Sequence, residues 1–267
     1  MIDVRDIDFA YPNGVPALRG VSLTLRRGER VALVGHNGSG KSTLAKHLNG
    51  LLHPSRGEVV VDGHSTHGRK VAKIAHSVAL LFQNPDDQIC KRSVWDEVIF
   101  GPQNLGIPQE RIAMLGHEAL RAFELLDMKE WNPHDLGFSR RKRLALASVV
   151  AMDTPVLVLD EPSAGLDPSE IALLEAVLDR LEAEGKTVLT ISHDMDFVVE
   201  NIDRAICLDN GTVAFDGSVV DLFEDHCLLD RSGLLLPQIA QLSQRMQVRP
   251  RKLTPDEFVR ALSGRER

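Results

Sequence analysis

"RVALVGHNGSGKST" (residues 30–43) decides the fold. An apolar run of strand length ends in a glycine-rich loop, and the loop opens into a helix with Leu44, Leu48 and Leu51 spaced for one face. Every fixed position of a phosphate-binding loop, Gly35, Gly40, Lys41 and Ser42, is filled within the run Gly35, His36, Asn37, Gly38, Ser39, Gly40, Lys41, Ser42 and Thr43. Glycines let backbone N–H groups turn inward around phosphate oxygens, and the helix N-terminus adds a favourable dipole. Lys41 is placed to reach the β- and γ-phosphates of a nucleotide, and Ser42 to ligate Mg²⁺.

Outward from this loop, "VRDIDF", "VSLTL" and "EVVVDG" are short β-rich runs broken by Gly and Pro turns, so a mixed sheet is expected in the first sixty or so residues. Beyond it, "SVALLF", "PVLVLD" and "TVLTIS" read as buried parallel strands joined by crossover helices, one of them carrying Ile171, Leu174, Leu178 and Leu181 on one face. Residues 96–152 are mostly helical in pattern and lack a central strand, which suits a helical subdomain inserted in an α/β core. Near residue 224 the pattern changes, and "LTPDEFVRAL" places Thr254, Pro255 and Glu257 as N-cap, first-turn proline and capping-box acid.

Composition narrows the function classes. A net charge of −7 lacks the basic excess that broad nucleic-acid binding needs. The acidic N-terminus argues against a secretory signal, and no stretch has the length to span a bilayer. Cys90, Cys207 and Cys227 form no C-x-x-C pair, so neither a disulfide framework nor a zinc site is expected, and a reducing cytosol suits them.

"PVLVLDEP" (155–162) ends a buried strand in two adjacent carboxylates. Beside a phosphate-binding loop, Asp160 is placed for a second Mg²⁺ contact, and Glu161 to orient or deprotonate an attacking water. With these residues the chain resembles the ABC (ATP-binding cassette) ATPases over about residues 1–223. Tyr11 in "FAYPNG" looks like the aromatic that stacks on adenine, Gln83 in "LLFQNPDDQ" like the Q-loop glutamine, which also contacts the metal, Asp167 in "SAGLD" like the D-loop aspartate, and His193 in "ISHD" like the switch histidine. The resemblance implies an α/β P-loop NTPase core with an N-terminal antiparallel β subdomain, the helical insertion and a short C-terminal helical extension over residues 224–267.

Within the family, "FQNPDDQ" followed by "VWDEVIFGPQNLGI" is similar to the ATPases of energy-coupling factor (ECF) transporters, importers of vitamins or transition-metal ions. That similarity implies ATP and Mg²⁺ as ligands, a second ATPase subunit, an integral membrane coupling subunit and a substrate-binding membrane subunit. It places the chain at the cytoplasmic face of the membrane. Asp86, Asp87 and Gln88 become candidates for pairing with arginines of the membrane subunit, the other reading being a solvated acidic loop. The family spacing back from Asp160 puts Leu136, Gly137, Phe138, Ser139 and Arg140 where a Leu-Ser-Gly-Gly-Gln signature belongs, so the turn is degenerate. The basic run from Arg140 to Arg143 is expected either to lie opposite polyphosphate bound to a partner subunit or to form a solvated helix face. Another ABC transporter's ATPase, or a soluble ABC protein acting on nucleic acid or ribosomes, are the alternatives.

Overall fold

The computed structural model describes residues 1–247 and 254–263. In chain order the elements are β1 (Ile2–Ala10), β2 (Pro16–Leu25), β3 (Arg30–Val34), α1 (Lys41–Leu48), β4 (Arg56–Val61), β5 (His64–Ser65), α2 (Val71–Ile74), β6 (Val78–Leu81), α3 (Val94–Asn104), α4 (Gln109–Ala122), α5 (Phe138–Ala151), β7 (Val156–Asp160), α6 (Pro168–Ala183), β8 (Thr187–Ile191), α7 (Met195–Asn201), β9 (Arg204–Asp209), β10 (Thr212–Ser218), α8 (Val219–Glu224), α9 (His226–Ser232), α10 (Gln238–Arg245) and α11 (Pro255–Leu262).

They form two sheets. The first, ordered β2-β1-β4-β5, pairs its strands antiparallel throughout. The second is ordered β10-β9-β3-β8-β7-β6, and only β10 runs antiparallel to its neighbour. The mixed sheet expected at the start is therefore resolved differently. β3 is apolar at every position from Val31 to Val34, so it leaves the half-exposed antiparallel sheet for the one sheet that can cover both its faces.

The pleat shows in the core. Val156 and Val158 of β7 pack with β3, α1 and the antiparallel sheet, whereas Leu157 and Leu159 pack on the other side against α5 and α6. Ala32 and Val34 of β3 meet α7, α8 and α9 in a third cluster. Helices α3, α4 and α5 lie between β6 and β7 with no strand among them, as their pattern suggested. On α6, Leu174, Leu178 and Leu181 are buried with Ile171 packed against them. The capping box of Thr254 and Glu257 starts α11.

One helix ends sooner than its apolar spacing suggested. Gly50 takes a φ of 75 and stops α1, which leaves Leu51 beyond the helix and 42% exposed.

Candidate nucleotide site

Three parallel strands deliver the site. β3, β7 and β8 are in register with Leu33 beside Ile191 and Asp160 beside Ile191, so the segments that follow them emerge at one carboxyl edge of the sheet. That carboxyl edge, where β3 sits between β8 and β9 far from its own neighbours in sequence, is where open α/β sheets bind ligands. A cavity of about 370 Å³ lies there, lined by Tyr11, Asn37, Gly38, Gly40, Lys41, Ser42, Thr43, Gln83, Asp160, Glu161 and His193. Residues drawn from five separate stretches of sequence are thus brought together.

The loop can form only with glycine at its turning points. Gly35, Gly38 and Gly40 have φ of 140, 84 and 107, a region closed to most side chains. Lys41 is buried and donates from Nζ to the carbonyls of Gly35 at 2.8 Å and His36 at 2.9 Å. Burial pulls its pKa down, against the opposing fields of Glu161 and Asp160. Ser39 is buried, and His36 stands outside the cavity lining, its Nε2 3.4 Å from Asp209. Tyr11 shares a hydrogen bond with Thr43 Oγ1 at 2.9 Å and packs edge-on against Phe9.

Burial raises the pKa of both Asp160 and Glu161. For Asp160 the Ser42 hydroxyl and the ammonium groups of Lys142 and Lys41 work in the opposite direction. Glu161 has φ 50, an uncommon left-handed conformation for a non-glycine residue. Its Oε2 accepts the His193 backbone N–H at 3.3 Å, while Oε1 is buried with no hydrogen bond and the His193 ring Nε2 3.5 Å away. Burial lowers the His193 pKa, with the Lys41 charge adding to it. A buried carboxylate beside a hydroxyl, with a second carboxylate carrying a free lone pair, is a donor set that fits a hard cation and a water.

Other candidate residues lie outside this cavity. Asp167 is the N-cap of α6 and forms a capping box with Glu170. Gly137 is the N-cap of α5 and supplies no side-chain acceptor. Leu136 is buried, Arg140 is exposed, and Phe138 is 46% exposed with its ring over Gly165, where an added Cβ would come within 2.5 Å of it. The Ser139 hydroxyl is held by Glu170, which also pairs with Arg143.

Two expectations meet a different arrangement. The basic run is not a uniform face: Arg141 pairs with Asp86 at 2.9 Å, Lys142 is fully buried, and Arg143 donates to the Phe123 carbonyl at 2.8 Å. α5 packs on α3, α4 and the sheet, so Lys142 and Arg143 must point inward, and of the run only Arg140 is exposed. In the acidic loop, Gln88 turns its amide inward, accepting from the Phe82 N–H and donating to Ala145 O and Ser148 Oγ. Of the three loop candidates, Asp87 alone is exposed and free of ion pairs among the described residues.

Lys142 belongs to no motif of the sequence, yet it reaches the site from α5. Its Nζ donates to the Gln83 carbonyl at 2.9 Å and to the Asp160 carbonyl at 3.4 Å, and burial pushes its pKa down to about 8 despite the fields of Asp160 and Glu161. The available signal was spacing, since Lys142, Ala145, Leu146 and Val149 share one buried face of α5.

Fold and cavity together define a P-loop nucleotide-binding ATPase. The ABC transporter profile matches residues 18–164, and the chain belongs to that family. It is 40% identical over 250 residues to the energy-coupling factor transporter ATP-binding protein EcfA of Methanothermobacter thermautotrophicus, covering 93% of this chain and 80% of that one. EcfA of Carboxydothermus hydrogenoformans is 39% identical over 241 residues, 90% of this chain and 89% of that one. Among solved structures, CbiO1 of Clostridium perfringens, part of the ABC transporter complex CbiONQ, matches with a TM-score of 0.75 and 31% identity over 92% of this chain and 98% of that one. A cassette solved as a dimer in a post-hydrolysis state with ADP and Pi matches at TM-score 0.75 and 25% identity, over 82% of this chain and 99% of that one. Among the described residues no helix is long and apolar enough to cross a membrane.

Proposed function

We propose that this chain is the ATP-hydrolysing subunit of an ECF-type importer of a vitamin or transition-metal ion. It works peripherally at the cytoplasmic face of the membrane, paired with a paralogous second ATPase subunit and with integral coupling and substrate-binding subunits. Similarity to two EcfA proteins and to CbiO1 supports the type. In this reading residues 1–223 form the cassette, with residues 96–152 as its helical subdomain, and residues 224–267 form an extension. Residues 248–253 and 264–267 of that extension lie outside the described part.

The convergence of Lys41, Asp160, Glu161 and His193 on the loop cavity carries the catalytic assignment. Lys41 holds the β- and γ-phosphates, Tyr11 stacks on adenine, and Ser42, Asp160 and Gln83 hold Mg²⁺. When bound, Mg²⁺ neutralises charge on the phosphate oxygens. Glu161, with an unoccupied lone pair on Oε1, orients or deprotonates the attacking water, and His193 faces the γ-phosphate.

In a head-to-tail dimer, ATP on the partner's loop meets the N-terminus of α5. There Gly137 has no hydroxyl, Phe138 crowds the approach, and the Ser139 hydroxyl is engaged by Glu170. Losing one pre-placed donor costs on the order of 100-fold in rate or more, so turnover falls mainly on this chain's own loop. The test mutates the catalytic glutamate of each subunit separately. Glu161→Gln is expected to remove most ATPase activity while the partner's equivalent removes little. The reverse result would overturn the asymmetry.

A further inference from the structure

Lys142 is the least economical residue near the site. Its side chain is 0% exposed, and no carboxylate of the described residues lies within ion-pair distance. An apolar side chain of the same length would fill this place on α5 without the cost of desolvating an ammonium group, several kcal/mol even after relaxation, at about the scale seen for buried ions. What the ammonium does instead is specific. It donates to the carbonyl of Gln83, in the loop after β6, at 2.9 Å and to the carbonyl of Asp160, at the end of β7, at 3.4 Å. These two main-chain segments carry side chains into the cavity from the ends of two neighbouring parallel strands, β6 and β7.

We propose that Lys142 is a positioning residue for hydrolysis: by clamping the carbonyls of Gln83 and Asp160 it fixes the spacing between the loop after β6 and the end of β7. It does so from α5, the helix whose first turn holds Phe138 and Ser139, so a shift of that helix is passed to this chain's own site. The inference rests on the reading of Gln83, Asp160 and Glu161 as site residues. It adds to that set a residue that stands outside the cavity lining. A displacement of about 1 Å in such a site costs on the order of 100-fold in rate while leaving most binding contacts in place.

The experiment compares Lys142→Met and Lys142→Gln in the assembled transporter, with Glu161→Gln alongside. Lys142→Met keeps the packing and removes the donors, whereas Lys142→Gln retains two amide donors on a stem shorter by one bond. Three quantities are read: thermal unfolding, affinity for a fluorescent ATP analogue, and kcat. For Lys142→Met the expected result is an unchanged or higher Tm, affinity within about threefold of the parent, and kcat lowered about 10- to 100-fold. Lys142→Gln is expected to recover kcat at least about fivefold above the Met variant. Parental kcat in Lys142→Met, while Glu161→Gln abolishes turnover, would overturn the clamp and leave the site reading intact. Lost folding or affinity in step with kcat would make Lys142 a packing residue, and a Gln variant no better than Met would equally refute the donor role. Normal turnover in Glu161→Gln would remove the site reading and the clamp together.

Discussion

Gly35 and Gly38 are both glycines with positive φ, 140 and 84, yet they answer to different constraints. A Cβ on Gly35 would sit 2.1 Å from the Leu208 carbonyl of β9, whereas one on Gly38 would meet nothing within 4 Å. Gly35→Ala must therefore push the loop away from the sheet, and Gly38→Ala pays only backbone strain, about 1–2 kcal/mol. Thermal unfolding and nucleotide titration should separate them. Gly35→Ala is expected to lose affinity at least about tenfold and to fall further in Tm than Gly38→Ala. At this scale the sequence was readily legible, because a phosphate-binding loop is a local backbone conformation whose requirements act position by position. The pairing of Glu161 Oε2 with the His193 N–H was not, since it joins residues that follow two different strands.

Asp153 shows how elements are tied. It follows α5 with φ 55 and accepts from Arg111 of α4 and from Lys186, which precedes β8. Burial works to raise its pKa, but the hydrogen bonds and charges of Lys186 and Arg111 outweigh it and hold the carboxyl below its usual range. A depressed folded pKa adds stability that is present above the unfolded value of about 4 and is lost as pH falls through the folded value. Asp153→Asn tolerates the same φ and removes the charge, so its Tm should lie below the parent's at pH 7. The two curves of Tm against pH should converge in acid; a gap that persists unchanged would assign the loss to packing instead. Nothing in "AMDTP" marks Asp153 as a junction, because both cations reach it from other elements.

For the whole molecule the question is where force leaves the cassette. A largely apolar groove of about 590 Å³ runs beside the acidic loop, lined by Val71, Leu80, Phe82, Phe100 and Leu105 among others, and the acidic loop carries the residues expected to pair with the membrane subunit. Asp87 is the cleaner probe of that contact, since Asp86→Lys would also set a lysine against Arg141. Asp87→Lys is expected to lower recovery of the membrane subunit in co-purification about fivefold or more, while ATP binding by the purified chain stays within about twofold. Undiminished recovery with undiminished transport would remove Asp87 from the coupling contact.

The sequence by itself determined the α/β class, the loop and the carboxylate pair at the end of β7, because each rests on short-range spacing or a local backbone need. Only the tertiary structure decided which members of the run from Arg140 to Arg143 face solvent, which of the two sheets β3 joins, and that Gln88 and Lys142 turn inward. β3 joins the sheet that covers both its apolar faces; for the polar side chains the physical reason is a shared one. A polar side chain is committed to the interior by acceptors that other strands and helices bring to it, such as the carbonyls of Ala145, Gln83 and Asp160, and those partners lie 18 or more residues away in the chain.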